Sequence, residues 1–178
     1  GAFLSGSGQF YFYLDGAVYQ VDLDSGKSKI LAKNITDDMT VISDNGMLAL
    51  NQFKNKIKII DLATQKTDNI SCGKNEVLRP IGFIGKDFIY GLGEKSEIVR
   101  QKDGSYLYPL TKVFIRSNKK NVKTYGEDET YITDANVDST TISLTHSRKS
   151  GKGYKKVNES YIRYKDKKEN KVVLEYGY

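Results

Sequence analysis

Hydrophobic and polar residues alternate along most of this chain in short runs, which is the pattern of half-buried β-strands. Between positions 56 and 62, for example, Ile57 and Ile59 alternate with lysines, so one face of the strand is apolar and the other is charged. Turn sequences such as Asp15-Gly16 separate these runs. No extended segment has the period of an amphipathic helix. The pattern therefore predicts short antiparallel strands joined by tight turns.

A longer phrase recurs at a spacing of about forty residues. Val21-Asp22-Leu23-Asp24-Ser25-Gly26-Lys27 is echoed by Ile60-Asp61-Leu62-Ala63-Thr64-Gln65-Lys66. Each copy follows a glycine, Gly8 or Gly46, and an apolar run. A strand repeat of this length is typical of β-propeller blades.

The sequence thus predicts one all-β, propeller-like domain over residues 1–178. It consists of about four antiparallel meander units, at approximately 1–38, 39–75, 76–128 and 129–178. Four units are few for a closed propeller, so an incomplete ring is one expectation. An up-and-down barrel of lipocalin type is the alternative fold.

Two motifs resemble a known class of repeats. The Asp-Leu-x-[Ser/Thr]-[Gly/Gln]-Lys phrase and the segment from Ile81 to Tyr90 look like blades of WD40-like and TolB-like propellers. The segment from Pro109 to Ile115 is similar to segments of uncharacterised Gram-positive surface proteins. The resemblance implies an extracytoplasmic, non-enzymatic role. The chain departs from the pattern because it has no tryptophan and because Gln65 replaces the turn glycine.

The third unit carries an insertion, residues 94–111, that the first two units lack. It contains Arg100, Tyr106 and Tyr108. Arginine and tyrosine are common anchors of protein interfaces, and insertions on a repeat scaffold often form the binding face. We therefore interpret these three residues as a partner-binding site. The alternative is that Tyr106 and Tyr108 belong to a strand and pack on its neighbours.

The formal net charge is +6, and basic residues crowd the last quarter of the chain. One interpretation is contact with a polyanion, either a wall polymer or nucleic acid. The other is a lysine-rich strand edge that resists edge-to-edge pairing. Lysine dominates over arginine and no arginine–aromatic pattern accompanies it, which favours the strand edge and argues against nucleic acid as a partner. The residues are Arg148, Lys149, Lys152, Lys155, Lys156, Arg163, Lys165, Lys167, Lys168 and Lys171.

Candidate catalytic and metal-binding residues are few. Cys72 is the only cysteine and His146 the only histidine; no catalytic motif surrounds either, and we expect His146 on the surface at a strand end. Asp134, Asn136 and Asp138 have the spacing that opens a calcium loop, but the glycine and glutamate of that loop are missing. We predict a flexible basic loop over residues 147–154. No cofactor or metal is expected.

These observations favour a non-catalytic binding or scaffolding module of a larger cell-surface or secreted protein. Its expected partner is a protein or a glycan, and it is expected to be a monomer or part of a larger chain. Polyanion binding through the basic last quarter is one alternative. A hydrolase acting on polymers is another, although the sequence offers no pair of carboxylates at glycosidase spacing. No apolar run is long enough to cross a membrane.

Overall fold

The chain folds into successive antiparallel meanders of short strands. The computed structural model describes residues 1–51, 53–164 and 172–177. The first sheet has the strand order β1-β2-β3-β4 and the second the order β5-β6-β7-β8. Their strands are β1 (Ala2–Leu4), β2 (Gln9–Leu14), β3 (Ala17–Asp22), β4 (Ser28–Ala32), β5 (Thr40–Ile42), β6 (Met47–Leu50), β7 (Lys56–Asp61) and β8 (Thr67–Ser71).

The remaining strands form two further meanders and a small hairpin. The third meander consists of β9, β10, β13 and β14, and the fourth of β15 to β18. Leu110 pairs with Ile132, which joins these two meanders into one eight-stranded sheet. The strands are β9 (Glu76–Ile84), β10 (Asp87–Glu94), β11 (Val99–Arg100), β12 (Tyr106–Leu107), β13 (Leu110–Ser117), β14 (Lys120–Tyr125), β15 (Tyr131–Asp138), β16 (Thr141–Ser150), β17 (Gly153–Tyr164) and β18 (Val172–Gly177).

Turn chemistry explains where these strands end. Asp15 and Gly16, between β2 and β3, both have positive φ, at 48° and 71°, as a tight hairpin turn requires. Pro80 lies in β9, an edge strand of its sheet, where a missing N–H is tolerated. The described helical structure is limited to two short 3₁₀ turns, Asp37–Met39 and Lys95–Glu97. The chain is therefore an all-β, propeller-like array, as the alternation predicts.

Successive meanders pack face to face through three apolar clusters. The face of a meander on the side of the preceding meander is here called proximal, and the opposite face, on the side of the following meander, is called distal. In the second sheet, Leu48 and Ile60 on the proximal face pack against the first sheet. Ala49 and Ile59 on the distal face pack against the third meander. The third cluster joins the third and fourth meanders through Ile89, Val113, Ile115, Ile142, Leu144 and Ile162.

The close approach of the first two sheets requires a glycine. Gly46 lies in the turn before β6 with a φ of 82°. A Cβ atom at this position would lie 2.5 Å from the ring of Phe3, which therefore occupies the space above the glycine. The glycine of the repeat thus serves both the turn and the contact between sheets.

The two ends of the array differ in polarity. The proximal face of the first sheet is apolar and partly open to solvent, with Leu4 57% and Ile30 43% exposed. In β15, β16 and β17 of the fourth meander, the paired residues on the distal face are polar. Its residues are Asp134, Asn136, Asp138, Thr141, Ser143, Thr145, Glu159, Tyr161 and Arg163.

Two expectations are wrong. The strands form several separate sheets, so the lipocalin-type barrel does not describe the chain. Residues 147–154 are not a flexible loop, because β16 continues to Ser150 and β17 begins at Gly153. Gly151, at a φ of 60°, allows the chain to reverse within a two-residue turn.

Candidate functional site

The insertion between β10 and β13 folds into a short, hydrogen-bonded hairpin. In it, β11 pairs with β12 so that Arg100 lies opposite Tyr106. At its tip the Gln101 N–H donates to the Ser105 carbonyl over 2.8 Å. The Asp103 carboxylate accepts hydrogen bonds from the Ser105 hydroxyl at 2.6 Å and from its N–H at 2.9 Å. These bonds lower the pKa of Asp103 and hold the turn in one conformation.

Arg100 and Tyr106 lie together on the exposed side of this hairpin. Both side chains are exposed, and directly opposite residues of an antiparallel pair share one face of the ribbon. They present a planar cation and an amphipathic ring to solvent side by side. The structure thus brings together two of the three residues that the sequence singles out.

Tyr108 has a different environment. It is half-buried and packs against the apolar cluster between the first and second sheets. The guanidinium carbon of Arg79 lies 4.1 Å from the centroid of its ring, which is cation–π geometry. Nη1 of Arg79 also donates to Asp38 over 2.8 Å. Tyr108 therefore attaches one end of the insertion to the scaffold.

Asp38 is kept ionised in this arrangement. Burial of its carboxyl group opposes ionisation, but hydrogen bonds from Thr36 and Arg79 outweigh that effect and lower its pKa. The negative charge in turn holds the Arg79 guanidinium in position over Tyr108.

Glu97 attaches the other end of the insertion to the fourth meander. Its carboxylate accepts hydrogen bonds of 2.7 Å from Nζ of Lys149 and from the Tyr154 hydroxyl. These bonds lower the pKa of Glu97. Burial and the bond to Glu97 raise the pKa of Tyr154. Tyr131 completes the contact, since its ring lies edge-on to Tyr154 and 5.5 Å from Nζ of Lys149.

Sequence reasoning missed both attachment residues, Arg79 and Glu97. Their partners Asp38 and Lys149 lie 41 and 52 residues away along the chain. No local motif marks such pairs, because the fold alone brings them together.

A cleft of about 290 Å³ opens beside the hairpin. Tyr106 and Tyr108 form one side of it, and β15 forms another. Its lining combines apolar side chains with ionised groups, so it could accept a ligand that carries both. The lining includes Asp38, Arg79, Ile81, Leu110, Ile132 and Asp134.

A second cleft, of about 220 Å³, lies between the second sheet and the third meander. Arg116 forms a two-pronged ion pair with Asp68 there, with N–O distances of 2.7 and 3.1 Å. Nζ of Lys86 lies 2.9 Å from Asp61. These charges neutralise one another, and the pairs therefore connect the two meanders.

His146 is buried, so its expected place on the surface is wrong. It is 3% exposed, and its Nε2 lies 2.7 Å from the hydroxyl of Ser160, which is 1% exposed. Burial lowers the pKa of the imidazole. A histidine and a serine in contact could form part of a nucleophilic site, but here both are shielded from solvent and from any substrate.

The other candidate residues lie apart from the hairpin or form no cluster. Cys72 packs against the cluster between the second sheet and the third meander, and burial raises the pKa of its thiol. Asp134, Asn136 and Asp138 alternate along the polar face of β15. Within residues 1–51, 53–164 and 172–177, no group of three or more His, Cys, Asp or Glu side chains is placed to hold a metal ion.

The basic last quarter is only partly described. Lys149 is paired with Glu97, and Lys156 with Glu159. Four of the other basic residues lie outside the described residues: Lys165, Lys167, Lys168 and Lys171.

No helix in the described part of the chain is long and apolar enough to cross a membrane.

Comparison with known proteins yields matches to solved structures alone. No protein-family model and no curated protein matches the chain. One similar structure is a chain of a S. cerevisiae Dbp5 complex with Nup159, Gle1, IP6 and ADP, at 11% identity and a TM-score of 0.48 over 99% of this chain and 46% of that one. A second is BamB from Moraxella catarrhalis, at 11% identity and a TM-score of 0.44 over 78% of this chain and 37% of that one.

A third similar structure is TolB from Acinetobacter baumannii, at 16% identity and a TM-score of 0.41 over 98% of this chain and 42% of that one. The chain thus spans less than half the length of each of these three structures. The propeller-like description of the fold rests on the chain's own strand pairing.

Proposed function

We propose that this chain is a non-catalytic binding module of a larger cell-surface or secreted protein, and that it captures a protein partner through the β11–β12 hairpin. The observation that carries the proposal is the pairing of exposed Arg100 with exposed Tyr106 on a ribbon attached to the scaffold at both ends. The cleft beside the ribbon would receive a side chain of the partner.

The attachment of the hairpin supports this function on energetic grounds. A mobile loop must be ordered when it binds, and the entropy lost in that step weakens the affinity. Here Tyr108 is held under Arg79, and Glu97 is held by Lys149 and Tyr154. The contact residues are therefore already close to the conformation they would have in a complex.

The test is the selection of ligands followed by mutation of the hairpin. A displayed peptide library and a glycan array are each screened against the chain, and selected ligands are measured by calorimetry. The double variant Arg100→Ala/Tyr106→Ala is expected to lose roughly thirtyfold in affinity, as the removal of interface anchors typically does. Lys120→Ala/Val122→Ala on β14 is the matched control, because both residues are exposed.

Either of two results would refute the proposal. One is that neither screen selects a ligand. The other is that the hairpin variant and the β14 variant bind the selected ligands equally well. A ligand selected only from the glycan array, with the same loss on mutation, would change the partner class from protein to glycan.

The surface or secreted setting is a separate part of the proposal. Intact cells that produce the parent protein are treated with protease, and the chain is detected with an antibody. We expect the protease to digest the chain while the cells are still intact. Protection until the cells are lysed would place the chain inside the cell.

The two alternative functions have less support. Polyanion binding would use the basic last quarter, but Lys149 and Lys156 are already paired with acids. Binding to a wall polymer or to DNA that weakens steeply with added salt would favour it. A hydrolase would need an accessible catalytic group, whereas the His146–Ser160 pair is shielded from solvent.

A further inference from the structure

The proximal face of the first sheet lacks the cover that equivalent faces have elsewhere in the array. Phe10, Phe12, Tyr19 and Val21 lie on this face beside Leu4 and Ile30, as the strand register shows. Phe12 stacks on Tyr19 with ring centroids 5.0 Å apart and tilts against Phe10 at 5.5 Å. The rings shield one another in part, which explains why they are half-buried although the sheet edge around them is open.

The sequence repeat identifies the covered counterpart of this face. Phe10 follows Gly8 by two residues, as Leu48 follows Gly46, and Val21 begins the phrase that Ile60 begins in the second copy. Leu48 and Ile60 are 0% and 8% exposed because the first sheet covers them. In the third meander, Phe88 occupies the same kind of position and packs against the second sheet. Every proximal face after the first is thus covered by the meander that precedes it in sequence.

The opposite end of the array shows what a terminal face is like in this protein. The distal face of the fourth meander is polar along β15, β16 and β17, from Asp134 to Arg163. Repeat arrays require such polar outer faces at their ends, since a repeat that exposes an apolar face associates or aggregates. The polar end does not match the apolar one, so copies of the chain are not expected to stack end to end.

We propose that the proximal face of the first sheet is a packing surface for one further four-stranded meander, carried by the same polypeptide ahead of β1. This meander presents an apolar distal face to Phe10, Phe12, Tyr19 and Val21, as the first sheet does to the second. The inference concerns the scaffold and stands or falls independently of the hairpin's function.

The first experiment establishes what the 178-residue chain exposes. An apolar fluorescent dye is titrated onto the chain, and the association state is followed by sedimentation over a wide range of concentration. We expect a monomer that binds the dye, and roughly tenfold weaker dye binding by Phe12→Ser/Tyr19→Ser. Val122→Ser, at an exposed apolar residue on β14, is the control and should bind the dye like the parent chain. A dimer that dissociates in the double variant would make a second copy the occupant and would overturn the proposal.

The second experiment tests the occupant itself. A single thiol is placed at Ile30→Cys in a Cys72→Ser background, in the 178-residue chain and in the polypeptide extended upstream by its natural sequence. Alkylation is expected to be roughly tenfold slower in the extended chain, because the added meander covers the site. Val122→Cys should react equally in both. Equal rates at Ile30→Cys would show that no meander covers this face and would overturn the proposal.

Discussion

At position 65 a glutamine adopts a backbone conformation that favours glycine. Its φ is 60°, close to the 67° of Gly26 at the equivalent turn of the first sheet. The side chain explains the exchange, since Nε2 donates to the Tyr11 hydroxyl at 2.7 Å and to the Leu62 carbonyl at 2.9 Å. In the second copy of the repeat, the turn is therefore strained at Gln65, and the glutamine side chain forms a hydrogen bond between the second sheet and the first.

Two substitutions at this position should separate these effects. Gln65→Ala keeps the strained φ and loses the hydrogen bond, so the free energy of unfolding should fall by about 1 kcal/mol. Gln65→Gly also loses the bond but relieves a strain of about 1 kcal/mol, so its stability should stay close to that of the parent. Urea unfolding of the two variants measures the difference. Equal losses would mean that the backbone at this turn is not strained.

His146 should make stability depend on pH. Burial lowers the pKa of the imidazole in the folded chain, so the unfolded chain binds the proton more tightly. Stability is therefore complete above the ordinary histidine pKa of 6.5 and is lost as the pH falls through and below it. Urea unfolding at several pH values should show this loss in the parent and a smaller one in His146→Gln. The assignment is direct because His146 is the only histidine. Identical pH profiles would contradict it.

Among the elements, the insertion combines the proposed contact surface with its own attachment to the scaffold. Tyr106 and Tyr108 are two residues apart, yet Tyr106 is 54% exposed and Tyr108 packs between sheets. In β12 the strand ends at Leu107, so Tyr108 is free to turn towards the core below Arg79. Two tyrosines only two positions apart therefore have different environments, one exposed to solvent and one packed against the scaffold.

Alanine scanning of the insertion should show this division. Tyr108→Ala removes a half-buried ring and its cation–π contact, and should lower the free energy of unfolding by about 2–3 kcal/mol, less than for a fully buried aromatic residue. Tyr106→Ala should change it by less than about 0.5 kcal/mol. Chemical denaturation gives both values. Equal effects of the two substitutions would contradict the assigned roles.

Local patterns account for most strands and for few of the contacts between them. The alternation around Ile57 and the Asp15-Gly16 turn predict their elements correctly, since period and turn chemistry are properties of neighbouring residues. The sequence does not predict that β16 continues to Ser150 or that His146 is buried. Whether a polar residue in a strand is buried depends on which meander packs against it. In this fold, the residues of that meander are tens of positions away along the chain, so no local pattern reveals them.

For the whole molecule, three ion pairs connect the third meander to the part of the chain before it: two come from the second sheet, and one comes from the turn before β5. They are Asp38–Arg79, Asp61–Lys86 and Asp68–Arg116. Asp68–Arg116 is the most buried, with both side chains less than 20% exposed, and should contribute most. The exposed lysine of Asp61–Lys86 is screened by solvent and salt.

Acid should therefore weaken this interface. Arg116 lowers the pKa of Asp68, and hydrogen bonds outweigh burial to lower those of Asp38 and Asp61. Folded-state pKa values below the ordinary one mean that stability is present above about pH 4 and is lost as the pH falls further. Asp68→Asn should be less stable at neutral pH and lose less on acidification. Denaturant unfolding from pH 6 down to pH 3 tests this, and parallel curves for the two proteins would refute it.

The two attachments of the insertion have a mechanical consequence. A partner that pulls on Arg100 and Tyr106 would load the Arg79–Tyr108 contact and the Glu97–Lys149 pair at the same time. Force divided between two anchors in parallel reaches each of them at a reduced level, so the hairpin should resist peeling better than a ribbon tethered at one end. Such an arrangement would suit a hairpin that must stay bound to its partner under tension.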